Sequence, residues 1–155
     1  MKHFTHEQMF RGKPITAEIT VTDCGVQVGL YGGDKPHIGA VGVADPAGKI
    51  TVTQFEGHKE GGLCQHWCEK LFKAVNCPVV VSAGIHYDNA SKKEILQVVE
   101  ISNVLLEMGT PNCDLYKELK MFFQMPACRY WKNIFIGFPC KKLKVVVYPL
   151  YETLL

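Results

Sequence analysis

Residues 14–30, PITAEITVTDCGVQVGL, decide the fold of this chain, because they read as two strands joined by a short turn. From Ile15 to Val21 the apolar side chains occupy every second position, with polar residues between them, as in a strand that buries one face. A turn follows at residues 23–25, and the alternation resumes at Val26. The sequence therefore predicts an antiparallel hairpin.

A second hairpin is predicted downstream of the first. Residues 38–44 and 49–55 read as strands, and residues 45–48 between them carry the proline and the glycine of a tight turn. Residues 79–81 are three consecutive valines, which is typical of a strand buried on both faces near the middle of a sheet. Two hairpins and one central strand would together form a mainly antiparallel sheet.

Two helices are predicted to cover this sheet. The first starts at Leu63, has apolar residues at the spacing of one helix face, and is broken by Pro78. The second starts at the capping box formed by Ser91 and Glu94, and Gly109 with Pro111 ends it. The core-facing positions expected in the two helices are Leu63, Trp67, Leu71, Ala74 or Val75, Ile95, Val98, Val99, Ser102, Leu105 and Leu106.

The fold class follows from these elements and from the chain length. With 155 residues, of which 47% are hydrophobic, the chain is long enough for one domain with its own core. We expect a single α+β domain over residues 1–155, with a predominantly antiparallel five- to six-stranded sheet built from two hairpins plus a central strand, and covered by two main helices. A short helix over residues 113–123 and a strand over residues 143–148 are weaker predictions.

The composition argues against two classes of partner. The formal net charge is +2, and no run of Lys or Arg supplies a local basic patch, so we expect no nucleic acid. No apolar segment is long enough to span a bilayer and the N-terminus has no signal-peptide pattern, so we expect a soluble, cytoplasmic protein. The cysteine count of seven is odd, and we expect reduced, mostly buried thiols.

Two segments look like parts of a binding site. Residues 32–39, GGDKPHIG, and residues 82–94, SAGIHYDNASKKE, each place glycine, histidine and lysine where a strand ends. The first segment on its own fits an ordinary turn. Two such junctions in one small domain favour a single shared pocket.

These two segments and residues 57–59, GHK, resemble the LpdD family in order and spacing. The resemblance covers residues 10–110 and leaves residues 111–155 as a divergent C-terminal extension. Members of that family are the D subunits associated with gallate-type decarboxylases, and are regarded as chaperones of prenylated flavin mononucleotide (prenyl-FMN), the cofactor of UbiD-like decarboxylases. The resemblance implies a non-catalytic accessory protein that carries prenyl-FMN as cargo, with a UbiD-like decarboxylase and the flavin prenyltransferase as partners. We also expect a homodimer, because an exposed sheet edge or the apolar tail favours pairing.

A carrier of this cofactor needs a slot for a flat ring system and a site for a phosphate dianion. His37, His58 and His86 are expected to donate hydrogen bonds to the ring edge or the phosphate, and Asp34 to orient one of them or to accept from the ring. The candidate cofactor-binding residues are Gly33, Asp34, His37, Gly39, His58, Lys59, Gly84, His86, Tyr87, Ser91 and Lys92.

The phosphate has two candidate positions, both at predicted helix N-termini, where free N–H groups attract anions. One is formed by Gly61 and Gly62 with Lys59 beside them, and the other by Ser91 and Lys92. We rank the second slightly ahead because its helix start is better defined, although Ser91 can be occupied in capping.

Three other interpretations compete with the carrier hypothesis. A zinc site could use His58, Cys64, His66 and Cys68, although His66 would point away from the two cysteines on a helix, and we expect no resident metal. A small hydrolase or isomerase could use His37 or His86 as a general base with Asp34 as its partner. A scaffold for a decarboxylase complex would leave the histidines without a ligand.

Overall fold

The computed structural model describes residues 1–107, which form six strands and two helices. The strands are β1 (Lys2–Phe10), β2 (Lys13–Thr22), β3 (Gly25–Gly33), β4 (Ala40–Ala44), β5 (Ile50–Gln54) and β6 (Val79–His86), and the helices are α1 (Gly61–Val75) and α2 (Lys92–Glu107). No helix in this part of the chain is long and apolar enough to cross a membrane.

The six strands form one sheet in the order β1-β2-β3-β6-β4-β5. All neighbouring pairs are antiparallel except β3 and β6, which run parallel with Val26 opposite Val79 and Gly33 opposite His86. The predicted α+β class with a mainly antiparallel sheet is therefore confirmed. Strand β6 follows β4 and β5 in the chain but lies between β3 and β4 in the sheet, so β3 and β4 are not neighbours.

Both helices pack on one face of the sheet and bury its alternating apolar side chains. Helix α1 contacts β4, β5 and β6, while α2 contacts β1 and β2. The two helices meet where the indole N–H of Trp67 donates to the hydroxyl of Ser102 at 3.0 Å, with both side chains fully buried. This bond satisfies two polar groups that would be costly to bury alone.

The first strand, β1, was not predicted from the sequence. It pairs along its whole length with β2 through a two-residue turn in which Arg11 and Gly12 both have positive φ, as tight hairpins require. Its sequence, KHFTHEQMF, is mostly polar, and only three of its residues are half-buried. An edge strand with so little burial gives no apolar alternation to detect.

Two burial predictions were wrong. The three-valine run does lie in the middle of the sheet, but Val80 is 38% exposed, because within residues 1–107 the helices cover only one face. In α2, Ile95 is 49% exposed and most other side chains of residues 92–97 are exposed too, whereas Val98, Ser102, Leu105 and Leu106 are buried as expected. The predicted helix end at Gly109 and Pro111 and the predicted elements after it lie outside the described residues.

Candidate functional site

The candidate site lies at the sheet edge where the parallel strands β3 and β6 both end. Because β6 lies between β3 and β4, the segment 34–39 that links β3 to β4 must cross the end of β6. It is held there by backbone hydrogen bonds from Asp34 to the carbonyl of His86, at 2.6 Å, and from Gly39 to the carbonyl of Ala83, at 2.8 Å. The two segments selected from the sequence are therefore in direct contact.

Glycine at position 84 makes this crossing possible. A Cβ atom on Gly84 would overlap the carbonyl of His37, so any side chain there would push the crossing segment away. Gly33 has a φ of +83°, and a Cβ atom added there would likewise overlap the carbonyl of His86. Two of the predicted glycines thus serve close backbone approach, which is a reason for glycine that requires no ligand.

A group of three side chains, which we call the His–Glu cluster, consists of His37, His58 and Glu60. The Nε2 atom of His37 lies 2.9 Å from Nδ1 of His58 and 3.5 Å from Oε1 of Glu60. The Nδ1 atom of His58 lies 3.9 Å from Oε2 of Glu60. Glu60 stands at the N-cap of α1, and its side chain is only 12% exposed. Partial positive charge at a helix N-terminus favours its carboxylate.

A second polar group surrounds His86 on the same edge. Its Nε2 atom lies 2.9 Å from Oδ1 of Asp88, and the same oxygen accepts from the ammonium group of Lys35 at 2.8 Å. The hydrogen bond from Lys35, and then that from His86, hold the pKa of Asp88 below its usual value. Asp34 bonds no histidine here, and its carboxylate instead accepts from the backbone N–H of Asp88 at 3.0 Å. The two polar groups adjoin, since the rings of His37 and His86 are 6.3 Å apart.

The remaining predicted residues fall in different surroundings. Tyr87 is buried, donates to the carbonyl of Lys13 at 3.3 Å and packs edge-on against Phe10, so its ring is part of the core. Ser91 sits in the predicted capping box, where its N–H and hydroxyl both donate to Glu94 and its oxygen accepts from the Glu94 N–H. Lys92 and Lys59 are exposed at the starts of α2 and α1.

The two candidate phosphate positions differ in what already occupies them. At the start of α2 the capping box places the Glu94 carboxylate beside the first N–H groups, and its negative charge opposes a phosphate. The start of α1 also has a carboxylate, that of Glu60, which accepts from the N–H of Lys59 and faces His37. The side chain of Gln54 accepts from the N–H of Gly61 at 3.0 Å, and Gly62 faces open space. A groove of about 320 Å³ begins there, lined by Lys59, Gly62, Leu63, His66, Val99 and Asn103.

The four residues of the competing zinc interpretation do not meet. Cys64 and Cys68 are fully buried under α1 against the backbone of Gly42, and burial raises the pKa of each thiol to about 11. His66 lies on the outer side of α1 in the groove, while His58 belongs to the His–Glu cluster. The two cysteines are core residues that remain protonated at neutral pH.

Three residues of the site were not among the candidates named from the sequence: Glu60, and also Asp88 and Lys35, which lie inside the two selected segments. Each lies within two positions of a predicted histidine, so proximity alone offered a weak signal. Their contacts are with residues that are distant in sequence, as with Lys35 and Asp88. Such contacts are not apparent from the sequence alone.

Comparison with known proteins agrees with the resemblance seen in the sequence. A scan against protein-family models matches residues 10–110 to the prenylated flavin chaperone LpdD-like domain. A search of the curated proteins found no match. Because the matched residues make up well over half of the chain, the protein belongs to the LpdD-like family of prenylated flavin chaperones.

Proposed function

We propose that this LpdD-like chain binds prenyl-FMN at the edge formed by the segments 34–39, 57–60 and 84–88, and delivers it to a UbiD-like decarboxylase. The observation that carries the proposal is the meeting of these three segments. They are separate in sequence, they lie within the residues that match the family, and their histidines lie within one small region. Convergence of polar side chains at one place is what a ligand site requires.

The histidines supply the polar contacts for the flavin ring. His37 and His86 have side chains that are 24% and 46% exposed, so a ligand reaches both from solvent. Their ring centroids are 6.3 Å apart, a separation that one ring system spans. In this proposal Gly33, Gly39 and Gly84 leave room for the chain segments and side chains that position the histidines, and Asp34 supports the site by fixing the position of Asp88.

We place the phosphate at the start of α1 rather than at the start of α2. Lys59 supplies a positive charge, and Gly62 in the first turn of α1 faces open space. The Glu60 carboxylate at this terminus is engaged with the N–H of Lys59 and faces His37. Ser91 is engaged with Glu94, so Ser91 and Lys92 offer the weaker position.

Delivery follows from the openness of this edge. The contacts available to the cofactor are hydrogen bonds and charge interactions, which allow release to a partner enzyme with a deeper site. We propose that the flavin prenyltransferase loads the carrier, that a UbiD-like decarboxylase receives the cofactor, and that the carrier acts as a homodimer without catalysing a reaction itself.

The test is an anaerobic titration of the full chain with reduced prenyl-FMN, with oxidised prenyl-FMN and with ordinary FMN. We expect one equivalent of a prenylated form to bind, and His37→Ala and His86→Ala to weaken binding at least about tenfold, the loss of one charge-assisted hydrogen bond or more. His3→Ala serves as a control, since His3 lies on β1 and bonds Thr20. Failure of every flavin to bind the folded protein would overturn the proposal.

A second experiment tests delivery. Loaded carrier is mixed with an apo decarboxylase of the UbiD type, and transfer is followed by mass spectrometry of the separated proteins. Cofactor that stays on the carrier, or that reaches the enzyme no faster than free prenyl-FMN, would contradict the delivery step while leaving binding intact.

A further inference from the structure

We propose that the His–Glu cluster is a binding site for a divalent transition-metal ion, with His37 Nε2, His58 Nδ1 and a carboxylate oxygen of Glu60 as its three protein ligands. This proposal concerns metal binding alone and does not depend on the flavin function. The three ligand atoms lie within 4.8 Å of one another, and none of the three residues is fully exposed. The site is supported by the spacing of the ligand atoms, by the tautomer of His37 and by the space beside Gly39.

The spacing suits a small ion. Zinc bound tetrahedrally at about 2.0–2.1 Å keeps its ligand atoms about 3.3 Å apart. The two ring nitrogens are 2.9 Å apart, His37 Nε2 lies 3.5 Å from Oε1 of Glu60, and His58 Nδ1 lies 3.9 Å from Oε2 of the same carboxylate. With one atom taken from each residue, all separations are within 4.8 Å. Small rotations of the two rings therefore suffice to place all three atoms around one ion.

The tautomer of His37 points in the same direction. Its Nδ1 atom is 2.9 Å from the carbonyl of Lys35, and because a carbonyl only accepts, Nδ1 must carry the proton. In the neutral ring, Nε2 then presents its lone pair to His58 and Glu60. A histidine that ligates metal commonly donates its other N–H to a backbone carbonyl in this way, which fixes both the ring and the tautomer.

Gly39 leaves the space that the cluster occupies. A Cβ atom at this position would come within 2.5 Å of Glu60 Oε2 and 2.9 Å of His58 Nδ1. The partial exposure of His37 and His58 leaves one side of the cluster open to water or to an anionic ligand. Two histidines and one carboxylate with an open position form a ligand set used by zinc and other divalent transition metals.

The experiment is a titration of chelator-treated, tag-free protein with Zn²⁺ by calorimetry, together with Co²⁺ absorption spectra. We expect one equivalent of metal, a spectrum without thiolate charge-transfer bands, and a melting temperature that rises with metal. His37→Ala, His58→Ala and Glu60→Gln should each weaken binding by more than about tenfold. His66→Ala is the matched control, because His66 lies outside the cluster.

Cysteines 113, 128 and 140 lie beyond the described residues, so the titration is repeated with Cys113→Ser, Cys128→Ser and Cys140→Ser combined. Stoichiometric binding that survives in this background and is lost with Glu60→Gln supports the cluster. Absence of stoichiometric binding, or binding that persists in the folded His37→Ala and Glu60→Gln variants, overturns the proposal. Circular dichroism shows whether each variant is folded, and a variant whose melting temperature does not respond to metal confirms the loss independently.

Discussion

The His–Glu cluster and the thiol pair under α1 are both built from residue types that bind metals, yet the fold treats them in opposite ways. Cys64 and Cys68 are one helical turn apart in the sequence, and both are fully buried against Gly42. His37 and His58 are 21 residues apart, yet their ring nitrogens are 2.9 Å apart at a solvent-accessible edge. The two cysteines, which are close in sequence, pack in the core. The two histidines, which are distant in sequence, are brought together where the segment 34–39 crosses the end of β6.

This contrast predicts separate roles, in which the buried region stabilises the fold and the exposed edge, as proposed above, binds ligands. Substitutions under α1 should lower the free energy of unfolding and leave the ligand contacts in place. Substitutions in the cluster should do the reverse. The following changes test that division, beginning with the largest expected loss of stability.

Trp67→Ala should have the largest effect. Trp67 is fully buried beside Cys68 and bonds Ser102, so its removal leaves a cavity and an unpaired hydroxyl. We expect a loss of about 3–5 kcal/mol in the free energy of unfolding, measured by urea denaturation. Val104→Ala, on the exposed side of α2, is the control and should change it by less than about 0.5 kcal/mol. A small loss for Trp67→Ala would mean that α1 and α2 are not coupled through this contact.

Cys68→Ser should have the next largest effect. It places a hydroxyl in a fully buried, apolar position and should cost about 1–3 kcal/mol. Metal binding and flavin binding, measured on the folded fraction, should not change. If the variant instead loses bound metal, the thiols are ligands and the contrast between the two regions fails.

The thiols also predict a pH dependence. Burial raises the pKa of Cys64 and Cys68 from an ordinary value of 9.0 to about 11, so the folded state keeps protons that the unfolded state loses. The free energy of unfolding should therefore fall as the pH rises above 9, and less so in Cys68→Ser.

The cysteines should also differ in their rates of alkylation. At pH 8 Cys24, which is partly exposed, should be alkylated well before Cys64 and Cys68, as peptide mapping can show. Equal labelling of all three in the native protein would contradict their burial.

Ser91→Ala should cost about 1 kcal/mol, because it removes the cap of α2. The backbone and side-chain bonds from Ser91 lower the pKa of Glu94 below its ordinary value of 4.5. That stabilisation is present above the ordinary pKa and is lost as the pH falls through the lowered one, so the stability of the variant should depend less on pH in the acid range.

Comparison of Ser91→Ala with Lys59→Gln locates the phosphate, since we expect weaker flavin binding in Lys59→Gln only. Loss of binding in Ser91→Ala alone would move the phosphate to α2.

His58→Ala should have the smallest effect on stability and the largest on metal binding. His58 is partly exposed, and its side chain is hydrogen-bonded to His37, so we expect a change below about 0.5 kcal/mol by thermal denaturation. A loss of several kcal/mol would show that the cluster holds the crossing segment in place and that the edge is structural.

The sequence by itself determined most of the architecture of residues 1–107. Alternation, the Asp45 turn and the capping box at Ser91 are local patterns, and each element they indicated is present, because local hydrogen bonding and one-sided burial act over a few residues. The edge strand β1 was missed because it buries too little apolar surface to leave a pattern.

Only the tertiary structure decided which of the candidate residues meet. Of the three histidine-bearing segments, the sequence showed that each stands near a strand or helix end, but their contact depends on the insertion of β6 between β3 and β4. That strand order brings the loop from Gly33 to Gly39 across the end of β6 and places His37 beside Glu60. Strand order is set by the packing of the whole core, which no local pattern encodes, and so the chemistry of the edge became readable only in the folded protein.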